Sequence, residues 1–151
     1  MKNLIEVYVK NVIVVKNEEG ETSFLVLLAE KEGNRILPIS IGMFEAQAIA
    51  RALEGISIER PLTHDLIVNI IRELGGTLEK IIINDLIDGT FYARLIVKTE
   101  DRLHSIDARP SDSIAIAVRV GAPIFVSSKV MDEAGEILPE EGTEGEENFE
   151  A

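Results

Sequence analysis

The order of apolar and polar positions along the chain predicts two similar runs of three strands followed by one helix. Alternating or continuous apolar stretches between Gly, Asn and Asp turns are typical of antiparallel strands. Apolar residues spaced three and four apart and ending at a glycine are typical of helices. Strands are predicted at residues 4–15, 24–30, 35–41, 78–86, 91–98, 103–107 and 123–126. Helices are predicted at residues 42–53, 63–74 and 110–120, with a helical turn at 127–131.

The two runs align with each other without a gap. The aligned positions, at an offset of 67 residues, are 24–26 with 91–93, 36 with 103, 39 with 106 and 45–50 with 112–117. The match predicts internally duplicated β-β-β-α units at residues 12–55 and 79–122, joined by a connecting helix. The alternative is that any two hairpin-plus-helix units look alike. The predicted fold class is α+β with a mostly antiparallel sheet, and Glu45 and Asp112 lie at equivalent helix starts.

The third predicted helix combines a buried body with a charged beginning. Positions 114–118 are apolar without a polar break, which is typical of a buried helix. Asp107, Arg109 and Asp112 surround its start, where free backbone N–H groups and the positive end of the dipole favour anions. The structural alternative is that Asp107 or Ser111 caps the helix and Asp112 complements the dipole. Two aspartates flanking an arginine exceed what a cap needs.

Composition restricts the class of protein. A length of 151 residues is that of one domain, and a hydrophobic fraction of 46% is enough for a core. The absence of cysteine excludes a disulfide framework and a thiolate metal site. Neither a signal peptide pattern nor an apolar run of membrane-spanning length is present. We therefore expect a cytoplasmic protein with no membrane partner.

The formal net charge of −12 is distributed unevenly. Nine of the 27 acidic residues follow Lys129, and no basic residue is among them. The rest of the chain has 18 acidic residues against 15 basic ones, a net charge of −3. This division predicts a domain at residues 1–131 and a solvated acidic tail at 132–151. A nearly neutral body is compatible with a polyanionic partner.

Several enzyme motifs are missing, namely HExxH, the Walker A loop, GxSxG and GxGxxG. What remains is a set of carboxylates with one arginine and one histidine: Glu45, His64, Asp65, Asp107, Asp112 and Arg109. Oxygen ligands suit Mg²⁺ or Mn²⁺, which lower the pKa of a bound water. We therefore predict a metal site formed by Asp107, Asp112 and Glu45. Arg109 is predicted to contact phosphate and His64 to relay a proton, although a surface position at a helix start also explains His64.

Four ordered blocks of the sequence resemble the bifunctional nuclease domain family. The blocks are residues 41–50, 60–66, 88–94 and 107–115, and the resemblance extends over about residues 5–131. It implies an α+β fold, self-association and, for some members, cleavage of both DNA and RNA. It implies no particular catalytic set, so the candidates remain Asp107, Asp112, His64 and Arg109.

The sequence therefore predicts a metal-dependent nuclease that hydrolyses phosphodiester bonds of DNA, RNA or both. The first alternative is a non-catalytic binding or regulatory module that uses the same charged helix start. The second is a purely structural oligomer in which these residues only cap helices. We also expect a homodimer or a higher symmetric oligomer, because strands 7–15 and 24–28 carry more apolar surface than one small body covers.

Overall fold

Nine strands and four helices form the part of the chain described by the structure, a computed structural model that covers residues 3–138 and 146–150. The strands are β1 (Leu4–Lys16), β2 (Thr22–Glu30), β3 (Arg35–Ile41), β4 (Thr77–Ile87), β5 (Thr90–Lys98), β6 (Leu103–Ala108), β7 (Ile124–Ser127), β8 (Glu136–Ile137) and β9 (Glu146–Asn148). The helices are α1 (Met43–Glu54), α2 (Thr63–Glu73), α3 (Pro110–Val120) and α4 (Ser128–Ala134).

All the strands belong to one sheet with the order β6-β5-β4-β7-β1-β2-β3-β8, and β9 pairs with β1 beside this path. Strand β7 joins the two halves, since it is antiparallel to β1 and parallel to β4. Each of the other pairings is antiparallel. The predicted α+β class with a mostly antiparallel sheet is confirmed.

The two halves have the same order of elements. Strands β1, β2 and β3 pair in sequence and lead into α1, and strands β4, β5 and β6 pair in sequence and lead into α3. Met43 begins α1 and Pro110 begins α3, which is the offset of 67 residues found in the sequence. Superposition of residues 12–55 on 79–122, and with it the duplication, stays a prediction.

The core lies between the helices and the central strands. Residues 26–29 of β2 are all buried, so both faces of this strand are covered, because successive side chains point to opposite faces. Residues 114–117 of α3 are at most 1% exposed, which confirms the predicted buried helix. Helices α1 and α3 pack together, and both contribute buried alanines. No helix in the described ranges is long and apolar enough to cross a membrane.

The segment predicted as a solvated tail is partly structured. The predicted boundary between 131 and 132 falls inside α4, whose Met131 is fully buried. Strand β8 pairs with β3, β9 pairs with β1, and the rings of Phe149 and Phe24 meet edge to face at 5.3 Å. Pairing with a sheet uses backbone groups, so an acidic composition does not exclude it. The glutamates at 140, 141 and 144 lie outside the described residues.

Candidate functional site

The start of α3 is held rigidly against the core. Arg109 is the N-cap residue, and Pro110 occupies the first helical position, where its missing N–H removes no helical hydrogen bond. The backbone N–H and the hydroxyl of Ser113 both donate to the Arg109 carbonyl oxygen, at 3.0 and 2.9 Å. Since residues 114–117 are buried, this turn is fixed in position, and with it the side chains of Arg109 and Asp112.

Four of the five predicted site residues meet in what we call the charged cluster: His64, Asp112, Arg109 and Glu45. The His64 Nε2 atom lies 2.8 Å from Asp112 Oδ1. Arg109 donates from Nε to Asp112 Oδ2 at 2.9 Å and from Nη2 to Oδ1 at 3.3 Å. The same Nη2 lies 3.7 Å from Glu45 Oε2. Helices α1, α2 and α3 thus each contribute to one cluster, and Asp112 is its centre.

Asp112 and Arg109 form the central ion pair of the cluster. Burial alone would raise the pKa of the Asp112 carboxyl, but hydrogen bonds from Arg109 and His64 outweigh burial and hold that pKa below its ordinary value. The hydrogen bond to Asp112 raises the pKa of Arg109. The carboxylate and the guanidinium therefore both stay charged near neutral pH. His64 is held by a permanent acceptor, and its side chain is 10% exposed.

Two open clefts, each of about 350 Å³, meet at Glu45 and Arg109. The His64 cleft is lined by Phe44, Glu45, Gln47, Ala48, Arg51, Leu62, Thr63, His64, Arg109 and Asp112. The Phe91 cleft is lined by Ile39, Ser40, Ile41, Gly42, Glu45, Gly89, Thr90, Phe91, Arg109, Pro110 and Ser111. The charged cluster is therefore open to a ligand from two sides, and Arg109, with a side chain that is 65% exposed, separates them.

A second ion pair fixes the helix that carries His64. Asp65 accepts the backbone N–H of Leu62 at 2.9 Å, which caps α2, and accepts Arg119 Nε at 3.0 Å. Arg119 Nη1 also donates to the carbonyl oxygens of Ala48 and Ala115, at 3.0 and 2.9 Å. One guanidinium, whose side chain is 10% exposed, thus links α1, α2 and α3. The position of His64 depends on this link.

The fifth predicted residue, Asp107, lies elsewhere. It is exposed on β6 opposite Arg94, and it lines neither of the two clefts. Side chains alternate along a strand, and Ala108 is half-buried, so Asp107 points to the other face of the sheet. Sequence proximity to Asp112 concealed this difference, since one residue belongs to a strand and the other to a helix.

The residues present do not fit the predicted three-carboxylate metal centre. Within residues 3–138 and 146–150, no group of three or more His, Asp and Glu side chains is placed to hold a metal ion. Both oxygens of Asp112 already accept hydrogen bonds from Arg109 or His64. Asp107 is not beside them. A role for Asp107, Asp112 and Glu45 with Mg²⁺ or Mn²⁺ stays a prediction.

The sequence did not identify three residues that contribute to the site. Arg119 is the single charged residue within the apolar run of α3, and a lone charge in a buried helix indicates a buried partner. Phe44 and Phe91 line the two clefts but occupy positions that also suit a core. Their exposure depends on packing between distant elements, which local patterns do not encode.

Similar proteins occur in a bacterium and in plants. The family model described as the Bifunctional nuclease domain matches residues 26–139. An uncharacterised protein of Mycobacterium tuberculosis is 47% identical over 133 residues, which cover 88% of this chain and 79% of that protein. Bifunctional nuclease 2 of Oryza sativa subsp. japonica is 32% identical over 72% of this chain and 34% of its own length. Bifunctional nuclease 1 of Arabidopsis thaliana is 26% identical over 68% of this chain and 33% of its own length. The match thus covers about a third of each of these two plant proteins.

Proposed function

The chain belongs to the bifunctional nuclease domain family, and from this premise we propose that it hydrolyses phosphodiester bonds of DNA, RNA or both at the charged cluster. The observation that supports this site is the contact of 2.8 Å between His64 and Asp112 beside an exposed arginine in an open cleft. A nuclease needs a group that accepts a proton and a cation that binds phosphate, and the cluster contains both.

Asp112 orients the imidazole of His64. Its carboxylate is the partner of Nε2, which leaves Nδ1 as the nitrogen that exchanges a proton. In the proposed reaction a water oxygen bonds to phosphorus and its proton passes to His64. The bond from phosphorus to the leaving sugar oxygen breaks, that oxygen takes up a proton from solvent, and the imidazolium then releases its proton to solvent. The carboxylate stabilises the imidazolium that forms, as a negative charge beside it does in other acid–base pairs.

Arg109 holds the phosphate in this scheme. Its planar guanidinium pairs with two oxygens at once, and its largely exposed side chain is accessible without disturbing the core. The contact with Glu45 at 3.7 Å keeps the guanidinium at the junction of the clefts. A nucleic acid strand that crosses the junction would thus place one phosphate beside both Arg109 and His64.

The decisive experiment compares Asp112→Asn with Asp88→Asn on plasmid DNA and on RNA. Asp88 is a matched control, because it lies in the β4–β5 turn with φ of 49°, a conformation that asparagine also adopts readily. We expect Asp112→Asn to lower the cleavage rate by about 100-fold or more, the usual contribution of acid–base groups. Undiminished cleavage by Asp112→Asn would refute the assignment.

The same assay tests metal dependence. Wild-type protein is treated with EDTA and then supplied with Mg²⁺ or Mn²⁺. Activity that disappears with EDTA and returns with the cation supports the predicted metal. Activity that persists in EDTA shows that the cluster acts without it.

One observation favours the alternative of a non-catalytic binding module. The carboxylate of Asp112 is fully engaged by Arg109 and His64, as in ion pairs that only stabilise a fold. A binding module would retain oligonucleotides without cleaving them under any metal condition. Binding and cleavage are therefore measured on the same protein preparation.

A further inference from the structure

Each of the two clefts that meet at Arg109 contains one phenylalanine. Phe44 lies in the first turn of α1, lines the His64 cleft and is 73% exposed. Phe91 lies near the start of β5, is half-buried and lines the Phe91 cleft. Each cleft beside the exposed guanidinium of Arg109 thus has one aromatic ring in its lining. None of the contacts described so far for the reaction uses either ring.

An arginine with an aromatic side chain in the cleft on each side suits the binding of single-stranded nucleic acid. Proteins that bind unpaired nucleic acid stack bases on aromatic side chains and hold the backbone with basic ones. In a duplex the bases are stacked on each other and their faces are not available to a side chain. This inference rests on the proposed function. We propose that the two clefts bind consecutive nucleotides of single-stranded nucleic acid. Arg109 contacts the phosphate between them, and Phe44 and Phe91 contact the flanking bases.

The charge of the clefts does not suit a duplex that is bound mainly through its phosphates. Their basic residues are Arg51 and Arg109, and Glu45 and Asp112 lie beside them. Duplex binding that relies on phosphates uses about 6–10 such contacts. Two cations offset by two carboxylates leave base stacking as the main source of affinity. The dependence of log K on log salt should therefore be shallow, with a slope of about −0.7 for the single phosphate contact of Arg109 and about −1.4 if Arg51 contacts a second phosphate.

Tyr92 provides a matched control for the aromatic positions. It follows Phe91 in β5, so its ring points to the opposite face of the sheet, and it is 39% exposed. It lines neither cleft. Replacement by leucine removes an accessible ring at all three positions and retains an apolar side chain. Phe44 is so exposed that its replacement should leave folding intact. The Phe44 variant therefore still tests the proposal if the Phe91 variant does not fold.

The experiment measures fluorescence polarisation of labelled oligothymidylate of about six nucleotides, and of a labelled hairpin whose G·C-rich stem stays paired at the assay temperature, with gels to verify intact probe. We expect Phe44→Leu and Phe91→Leu each to weaken single-strand binding about fivefold to 100-fold, and Tyr92→Leu to leave it unchanged. We expect the hairpin to bind at least about tenfold more weakly than the single strand. Equal binding by the Phe44 and Tyr92 variants, or equal affinity for hairpin and single strand, would overturn the proposal.

Failure of this inference and failure of the proposed function give different results. Cleavage that depends on Asp112 together with unaltered binding by Phe44→Leu refutes the two-cleft assignment alone. Single-strand binding that depends on both phenylalanines, without any cleavage, supports the clefts and refutes the nuclease. A Phe44→Leu variant that changes only the molecular mass in solution shows that this ring serves an interface between copies, and it also overturns the proposal.

Discussion

Asp112 is the residue at which burial and ion pairing oppose each other most directly. Its side chain is 29% exposed, and burial disfavours the charged carboxylate. Hydrogen bonds from Arg109 and His64 more than compensate, so the pKa lies below its ordinary value. The native state therefore binds this proton less readily than the unfolded chain does. Proton linkage converts that difference into a stability that depends on pH.

The first prediction concerns acid stability. A depressed pKa stabilises the native state above the unfolded value of about 3.8, and this contribution disappears as the pH falls through the folded pKa. Asp112→Asn should therefore lower the melting temperature at pH 7, and the difference from wild type should shrink steadily as the pH falls below about 4. Thermal unfolding followed by circular dichroism at several pH values measures this. A difference that is independent of pH would show that Asp112 is not held as a carboxylate.

The second prediction concerns the geometry of Arg109. Lysine concentrates its donors on one nitrogen and lacks the planar fork whose separate nitrogens face Asp112 and two phosphate oxygens at once. Arg109→Lys should reduce kcat/KM by about tenfold or more, mainly through a higher KM. Arg94→Lys is the control, since Arg94 lies opposite Asp107 on β5 and outside both clefts. Unchanged kinetics of Arg109→Lys would exclude bidentate phosphate binding.

At the scale of elements, the site is built where three helices converge. Arg119 donates to Asp65 on α2, to Ala48 on α1 and to Ala115 on its own helix. Removal of one partner from a nearly buried ion pair leaves the other charge uncompensated, which is strongly destabilising. The ion pair between Arg119 and Asp65 also fixes the first turn of α2, from which His64 contacts Asp112. Arg119 is thus a positioning residue that acts on the imidazole through the helix.

The third prediction follows from this set of contacts made by Arg119. Arg119→Lys retains the charge but cannot span the same acceptors, so α2 should loosen and the contact between His64 and Asp112 should lengthen. We expect kcat to fall more than KM changes, because the imidazole is displaced from its position beside Asp112. The exposed Arg72→Lys on α2 is the control. A lower melting temperature with an unchanged kcat would limit Arg119 to a structural role.

The elements were largely predictable from sequence, because their signals are local. The apolar run at 114–117 and Gly121, with φ of 72° at the end of α3, belong to one short segment. Asp107 shows the limit, because one residue of displacement along a strand reverses the face on which a side chain lies. The tie between Arg119 and Asp65 spans 54 residues of sequence, and no local pattern encodes such a contact.

At the scale of the whole molecule, the distribution of exposed apolar surface differs from the sequence-based expectation. The strands at 7–15 and 24–28 were expected to need a partner, yet most of their apolar side chains are covered within one chain. The exposed apolar side chains instead include a group on and before α2: Leu53, Ile56, Ile58, Leu62, Leu66, Ile70 and Leu74. Several follow one another at four-residue spacing along one side of α2. An apolar stripe of this kind on a surface helix is typical of an interface.

The last prediction is that this stripe pairs with its copy in a symmetric homodimer. Pairing about a twofold axis brings the same side chains of two copies together, so one stripe is sufficient for both partners. Leu66 and Ile70 are 52% and 47% exposed, and a charge at either position would be buried unpaired in the dimer while staying solvated in the monomer. Light scattering at micromolar concentration should give twice the chain mass of 16.6 kDa for wild type and the single-chain mass for Ile70→Lys. The control is Leu103→Lys, at a position that is 62% exposed on the edge strand β6 and does not belong to the stripe of α2, and this variant should stay dimeric. A wild-type protein that is monomeric, or an Ile70→Lys variant that pairs like wild type, would show that the stripe of α2 does not mediate self-association.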